Sequence, residues 1–136
     1  MSYLLDTNVV SELVRPRPSP RVVAWVGSVA DSALHLSVLS VGEIRQGVES
    51  LPSGARRTRL LTWLEGELPA WFEDRLLPVS LAVADRWGRL LALVDRPVSG
   101  VDSLLAATAL EHGLTMSTRN VEDFRFPGLT VVNPWA

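Results

Sequence analysis

The chain contains no cysteine and no lysine, and its only histidines are His35 and His112. Without cysteine there is no disulfide framework, no thiolate-bound zinc and no thiol nucleophile. Without lysine there is no phosphate-loop lysine and no Schiff-base chemistry. Two histidines are too few for a His-rich metal cluster and leave a Ser-His-Asp triad little to draw on. Long apolar runs are missing as well, since nowhere do about 18 uncharged apolar residues follow one another as a membrane span requires. Met1 to Asp6 reaches an acid with no basic residue before it, so it does not read as a secretory leader, and the expected location is cytoplasmic. Positive charge is not in excess either. Thirteen arginines stand against 15 acids for a net charge of −2, which argues against a strongly basic nucleic-acid module.

What is present is apolar. Hydrophobic residues make up 47% of the 136 residues and mean hydropathy is +0.20, enough for a buried core and incompatible with global disorder. The length suits one domain, expected over residues 1–136, with no repeat, low-complexity tract or linker to divide it.

Short apolar segments alternate with helical patterns along the chain. Strands are predicted at Tyr3–Leu5, Ala33–Ser37, Leu76–Val79, Leu114–Ser117 and Leu129–Val132. Helices are predicted up to Val14, from Pro20, from Ser40 to about Glu49, over Ala55–Glu67, from Ser80 to about Val94, and from Ser99-Gly100 to a stop at Gly113. Arg15-Pro16-Arg17-Pro18-Ser19-Pro20 breaks the first helix from the second, and Asn120–Phe124 reads as a single turn. Strands that are apolar throughout belong in a sheet covered on both sides. The expected fold is therefore a three-layer α/β/α domain around a central, mostly parallel sheet of about five short strands.

In such a sheet, ligands bind outside the carboxyl ends of the strands. Acids stand at those junctions: Asp6 after the first strand, Glu43 after the second, Asp102 before the last helix, and Glu122 and Asp123 after the fourth strand. Each has a plain structural reading beside the catalytic one. Ser40…Glu43 and Ser99…Asp102 have capping-box spacing, Asn120…Asp123 has similar cap logic, and Asp6 fits an N-cap. Taken together, carboxylates on one sheet edge repel unless a cation neutralises them. With no cysteine and few histidines, the donor set favours a hard ion, Mg²⁺ or Mn²⁺.

Leu5-Asp6-Thr7-Asn8-Val9-Val10-Ser11-Glu12, Ser40-Val41-Gly42-Glu43, Val101-Asp102-Ser103-Leu104-Leu105-Ala106-Ala107-Thr108-Ala109 and Ser117-Thr118-Arg119-Asn120 together resemble the ordered motifs of PIN-domain ribonuclease toxins of the VapC/FitB type. Asn133-Pro134-Trp135 adds to that likeness, which spans nearly the whole chain. The resemblance implies a metal-dependent endoribonuclease, the toxin of a type II toxin–antitoxin pair. It assigns Asp6, Glu43 and Asp102 as catalytic acids and metal ligands, and Thr7 as a hydroxyl that orients substrate or ligand. At the fourth position the family often has aspartate, whereas this chain has Asn120 with Asp123 three residues on, so either is a candidate metal ligand. The implied partners are a cognate antitoxin protein and an RNA substrate, with a homodimer joining the antitoxin in a heterotetramer or larger complex. The first two helices and Ala55–Glu67 are the implied interfaces.

A carboxylate site repels a polyanion, so arginines must guide RNA to it. Candidates are Arg119 beside Asn120, Arg45 beside Glu43, and Arg15 and Arg17 in the Pro-rich loop; Arg56, Arg57 and Arg59 suit RNA, a partner or plain solvent. Two other classes share features with this pattern. A haloacid-dehalogenase-like phosphatase needs a second aspartate two residues after the first and a lysine, but position 8 is Asn8 and lysine is absent. A catalytically weak PIN-fold module that binds nucleic acid or protein stays open, because Asn120 already departs from the pattern.

Overall fold

Successive residues of a strand face opposite sides of a sheet. Leu4 and Leu5 of β1 (Tyr3–Leu5) are both wholly buried, so this strand must be covered on both sides. The computed structural model, which describes Met1–Ala136, shows the two covers. Leu4 belongs to one apolar cluster with Met116, Leu105 and Phe124. Leu5 belongs to another with Val9, Leu36, Ile44 and Phe72.

Around β1 lie β2 (Leu34–Ser37), β3 (Leu76–Leu77), β4 (Thr115–Ser117) and β5 (Val131–Val132). All pair in parallel, in the order β3-β2-β1-β4-β5. The Leu5 side is covered by α1 (Thr7–Leu13), α2 (Pro20–Ser28), α3 (Val38–Glu49), α4 (Ala55–Thr62) and α5 (Leu68–Phe72). The Leu4 side is covered by α6 (Leu81–Leu93) and α7 (Gly100–Glu111). Ala106, Ala107 and Ala109 are fully buried in α7, as expected of a helix pressed between α6 and the sheet. The expected three-layer architecture is the observed one.

Several boundaries differ from the sequence reading, each for a local reason. α3 begins at Val38 instead of Ser40 because Ser37, the last residue of β2, accepts the Leu39 N–H at 3.0 Å and caps the helix. The helix predicted to end at Glu67 continues through a π turn, Trp63–Glu67, to Phe72. That wider turn lies just ahead of Pro69, which has no N–H to donate and whose ring crowds the carbonyl four residues back in a regular helix. β3 and β5 pair over only two residues each.

The strand order places the site. The chain runs outward from β1 through β2 to β3, then crosses back to lay β4 on the other side of β1. The order therefore reverses between β1 and β4, where a crevice opens at the carboxyl ends. Leu5 is in register with Ser117, and the Asp6 N–H donates to the Ser117 carbonyl at 2.9 Å. Asp6 and Thr118 thus leave the sheet side by side.

Candidate active site

Asp6 follows β1 at this reversal and is only 7% exposed. As the N-cap of α1, its Oδ1 accepts the Thr7 N–H at 2.8 Å. Its Oδ2 accepts the Thr118 hydroxyl at 2.7 Å. Capping therefore occupies one oxygen only, and the second is held by a different strand end.

Glu43 does not cap anything. With α3 starting at Val38, Glu43 stands in the second turn, exposed, and the Ser40…Glu43 capping box predicted from spacing does not form. Ser40 is buried and its hydroxyl has no hydrogen-bond partner. Instead the Thr7 hydroxyl donates to Glu43 Oε1 at 2.5 Å, tying α1 to α3.

Asp102 is a half-formed box. Ser99 caps α7 by accepting the Asp102 N–H at 3.2 Å, but the Asp102 carboxylate makes no return bond. Its surroundings are the other acids. Partial burial, then the charges of Asp6, Asp123 and Glu43, push its pKa from 3.8 up to about 6. Asp6 is also raised above 3.8, chiefly by burial. The Thr118 and Thr7 hydrogen bonds pull it back, while Glu43 and Asp123 push it further up.

Asn120 and Asp123 are both exposed, around the single 3-10 turn Val121–Phe124. The Asn120 side chain caps nothing, contrary to the spacing argument; its backbone carbonyl accepts the Asp123 N–H at 3.0 Å. Its backbone N–H donates to Thr118 Oγ1 at 3.0 Å. Asp123, unlike Asn120, carries a charge felt by both Asp6 and Asp102.

The acids Asp6, Glu43, Asp102 and Asp123 thus share one edge, and no arginine bonds to any of them. No three acidic or imidazole side chains form a ready-made chelating nest. Mg²⁺ does not require one, since it is commonly held by one or two carboxylates and keeps several waters. An all-oxygen set whose mutual repulsion no basic side chain relieves fits a hard divalent ion.

The arginines are only partly where guidance of RNA needs them. Arg45 is engaged with Glu65 at 3.2 Å and with Glu49, so the expectation that it faces the site fails. Arg15 pairs with the buried Glu12 at 3.2 Å, and Arg17 is exposed. Arg119 lies over the Trp135 ring, 5.3 Å from its centre. His35 on β2 and His112 at the end of α7 take no part in the acid cluster.

Nothing in the sequence pattern gives Thr118 a task of its own. It is fully buried, and its single hydroxyl joins Asp6, the Asn120 backbone and, at 3.5 Å, the Asn8 amide. A threonine after a strand is unremarkable in sequence; only the β1–β4 register gives it this place.

The pattern of the PIN domain matches residues 3–125. The chain is 36% identical over 135 residues to "VapC ribonuclease Y4jK" of Sinorhizobium fredii, covering 97% of this chain and 96% of the relative. It is 37% identical over 135 residues to "Toxin FitB" of Neisseria gonorrhoeae, covering 97% of each. Among solved structures, that of FitAB bound to a DNA fragment, IR36, superposes with a TM-score of 0.89 at 35% identity, over 98% of this chain and 96% of that one.

Proposed function

The chain belongs to the PIN-domain family, and we propose that it is a divalent-metal-dependent endoribonuclease serving as the toxin of a toxin–antitoxin pair. The observation that carries this reading is the group of acids at the β1–β4 reversal, mutually repelling and without a basic partner. Relatives named as a ribonuclease and as a toxin support the class of activity.

In this reading Asp6, Asp102 and Asp123 would hold Mg²⁺ or Mn²⁺, with Glu43 at the margin of the same site. Asp123 takes the role of fourth acid, because its charge reaches Asp6 and Asp102, while Asn120 anchors the loop through its backbone. Such an ion, when bound, would supply Lewis-acid stabilisation of the phosphoryl group and make the attacking water more acidic. Thr7 fixes the Glu43 carboxylate, which is exposed and free to take the proton from that water. Arg119, exposed and next in the chain to Thr118, holds an adjoining phosphate of the substrate. Water attacks phosphorus, the bond to the 3′-oxygen breaks, and the products are a 5′-phosphate and a 3′-hydroxyl.

We read residues 1–136 as one domain, since β5 pairs with β4 and Trp135 packs against the Leu5 cluster. In keeping with a toxin–antitoxin role, the partner is an antitoxin protein and the chain itself is dimeric. No helix is long and apolar enough to cross a membrane.

The test is direct. The purified chain, freed of any partner, should cut single-stranded RNA with Mg²⁺ or Mn²⁺, leave 5′-phosphates, and stop on addition of EDTA. Cleavage that persists in EDTA, or products ending in 2′,3′-cyclic phosphate, would overturn the mechanism.

A further inference from the structure

β4 and β5 end in register, Ser117 against Val132, and the Thr118 N–H donates to the Val132 carbonyl at 3.0 Å. Arg119 and Trp135 stand just past these two neighbouring strand ends. Trp135 is held in a tight turn: its N–H donates to Asn133 Oδ1 at 2.9 Å, and the Ala136 N–H to the Asn133 carbonyl at 3.2 Å. The indole is half-buried against the Leu5 cluster. Over its ring lies the Arg119 guanidinium, 5.3 Å from the ring centre. The Arg119 backbone is tied to the acid site as well. Its neighbour Thr118 bonds Asp6, and its own N–H donates to Asn8 Oδ1 at 3.5 Å. The Arg119 side chain itself makes no hydrogen bond and no ion pair, whereas Arg125 on the same loop is paired with Glu122 at 2.8 Å.

We propose that Trp135 is a positioning residue for RNA cleavage, its indole holding the Arg119 guanidinium ordered but uncommitted for a substrate phosphate. This role rests on the ribonuclease reading and adds how its phosphate contact is prepared. An arginine at an acid-bearing sheet edge has two poor alternatives. Loose in solvent, it surrenders rotamer freedom when it closes on a phosphate. Paired with a carboxylate, it is ordered, but its charge is neutralised and the pair must break before a phosphate can bind. An aromatic face avoids both. It attracts the cation through the ring quadrupole, fixes the guanidinium plane, and leaves the in-plane N–H donors unused. Those donors are the ones a guanidinium offers to phosphate as a fork. Tryptophan is the strongest of the aromatic partners. A purely structural Trp135 would need only apolar contact with the Leu5 cluster, which leucine can also supply.

The experiment is a double-mutant cycle on the whole chain, with Trp135→Leu, Arg119→Ala and both together, in an Asp102→Asn background that prevents cleavage. The probe is a fluorescein-labelled single-stranded RNA of about 12 mixed nucleotides, read by anisotropy from about 50 to 200 mM salt. Arg119→Ala should lose about tenfold in affinity, and its slope of log K against log salt should become shallower by about 0.7, one single-strand phosphate contact. Trp135→Leu should lose about fivefold, and Trp135→Phe, which keeps a weaker aromatic face, about twofold. With Arg119→Ala already present, neither change at Trp135 should cost anything more. Mn²⁺ affinity by calorimetry, with Asp102 restored, should be the same in Trp135→Leu as in the parent. Should Trp135→Leu fail to fold, the cycle with Trp135→Phe reads the same coupling. Parent-like RNA affinity in the Trp135 variants overturns the role. So does a loss that persists in full without Arg119, which would mean that the indole meets RNA itself. Hydrolysis of bis(p-nitrophenyl) phosphate by the unmodified chain with Mn²⁺ tests the acid site apart from Arg119 and Trp135. Hydrolysis there with uncoupled Trp135 and Arg119 sinks the positioning role alone; no hydrolysis and no RNA binding by the unmodified chain sinks the ribonuclease reading with it.

Discussion

At Asp102 a helix start and a carboxylate cluster meet, and the two make opposite demands. An acid in the first turn of α7 is favoured by the helix dipole, by about 0.3–1 kcal/mol. Partial burial, with three neighbouring acids after it, outweighs that, since the pKa is raised to about 6 and not lowered. The sign of the pH dependence follows. Between 3.8 and about 6 the folded protein holds a proton at Asp102 that the unfolded chain has released, so stability without metal falls as pH rises through that range. In Asp102→Asn that decline should shrink, with the metal-free melting temperature at pH 7 equal to or above that of the parent. Cleavage should fall by about 100-fold or more, as removal of a preorganised electrostatic group does. A variant that is less stable without metal yet still cuts RNA would restore the capping explanation. Thr118 gives a second test at this scale. Thr118→Val leaves the buried Asp6 oxygen without its hydroxyl donor and should cost about 1–3 kcal/mol in urea unfolding at pH 7. Thr118→Ser keeps the hydroxyl and should recover most of it.

Among the elements, α6 and α7 offer a matched pair of caps. Ser80 accepts the Val83 N–H at 3.1 Å, and Ser99 accepts the Asp102 N–H at 3.2 Å. Ser80→Ala and Ser99→Ala should each cost about 0.5–2 kcal/mol by thermal or urea unfolding. Only Ser99→Ala should also weaken Mn²⁺ binding by calorimetry, because the cap it removes is bonded to a residue of the acid cluster. Equal metal affinity in the two variants would mean that α7 holds Asp102 in place without its cap. The α3 start carries a related lesson. Moving it from Ser40 to Val38 turns Glu43 from a cap acid into a second-turn residue reached by Thr7. A two-residue boundary shift decides which of two roles an acid can have.

For the whole molecule, the sheet couples two apolar clusters through adjacent residues of a single strand. Leu5→Ala empties volume between β1 and the α1–α3 side and should cost about 2–5 kcal/mol. Unfolding should stay a single transition, since Leu4 of the same strand anchors the other cluster. An ion binding only the folded form raises its stability, by about 2.7 kcal/mol at 100 times its Kd. Melting temperature should therefore climb with Mg²⁺ in the parent and much less in Asp102→Asn. Apolar side chains also remain on the surface, Leu81 at 88% and Leu93 at 70% exposure. The chain should run as a dimer at micromolar concentration by light scattering, and a monomer throughout that range would count against the association proposed above.

Composition and pattern by themselves determined the chemistry available and the layers. The absence of cysteine and lysine, the apolar strands and the acids at strand ends are local facts, and they imply an oxygen-lined site on a doubly covered parallel sheet. Four motifs in order were enough to recognise the family, because short-range residue types record what each junction must supply. Which junctions meet was decided only in three dimensions. The register that sets Leu5 against Ser117 brings Thr118 to Asp6, across 112 residues of chain. The crossover to β4 brings Asp123 within reach of Asp6 and Asp102 where Asn120 has no charge to offer. The packing of α4 beside α1 and α3 leaves Arg56 and Arg59 facing a cleft while the intervening Arg57 is spent on Glu49. Spacing along a chain specifies which face of its own element a side chain occupies. What stands opposite that face depends on strand order and helix packing, which are properties of the assembled core.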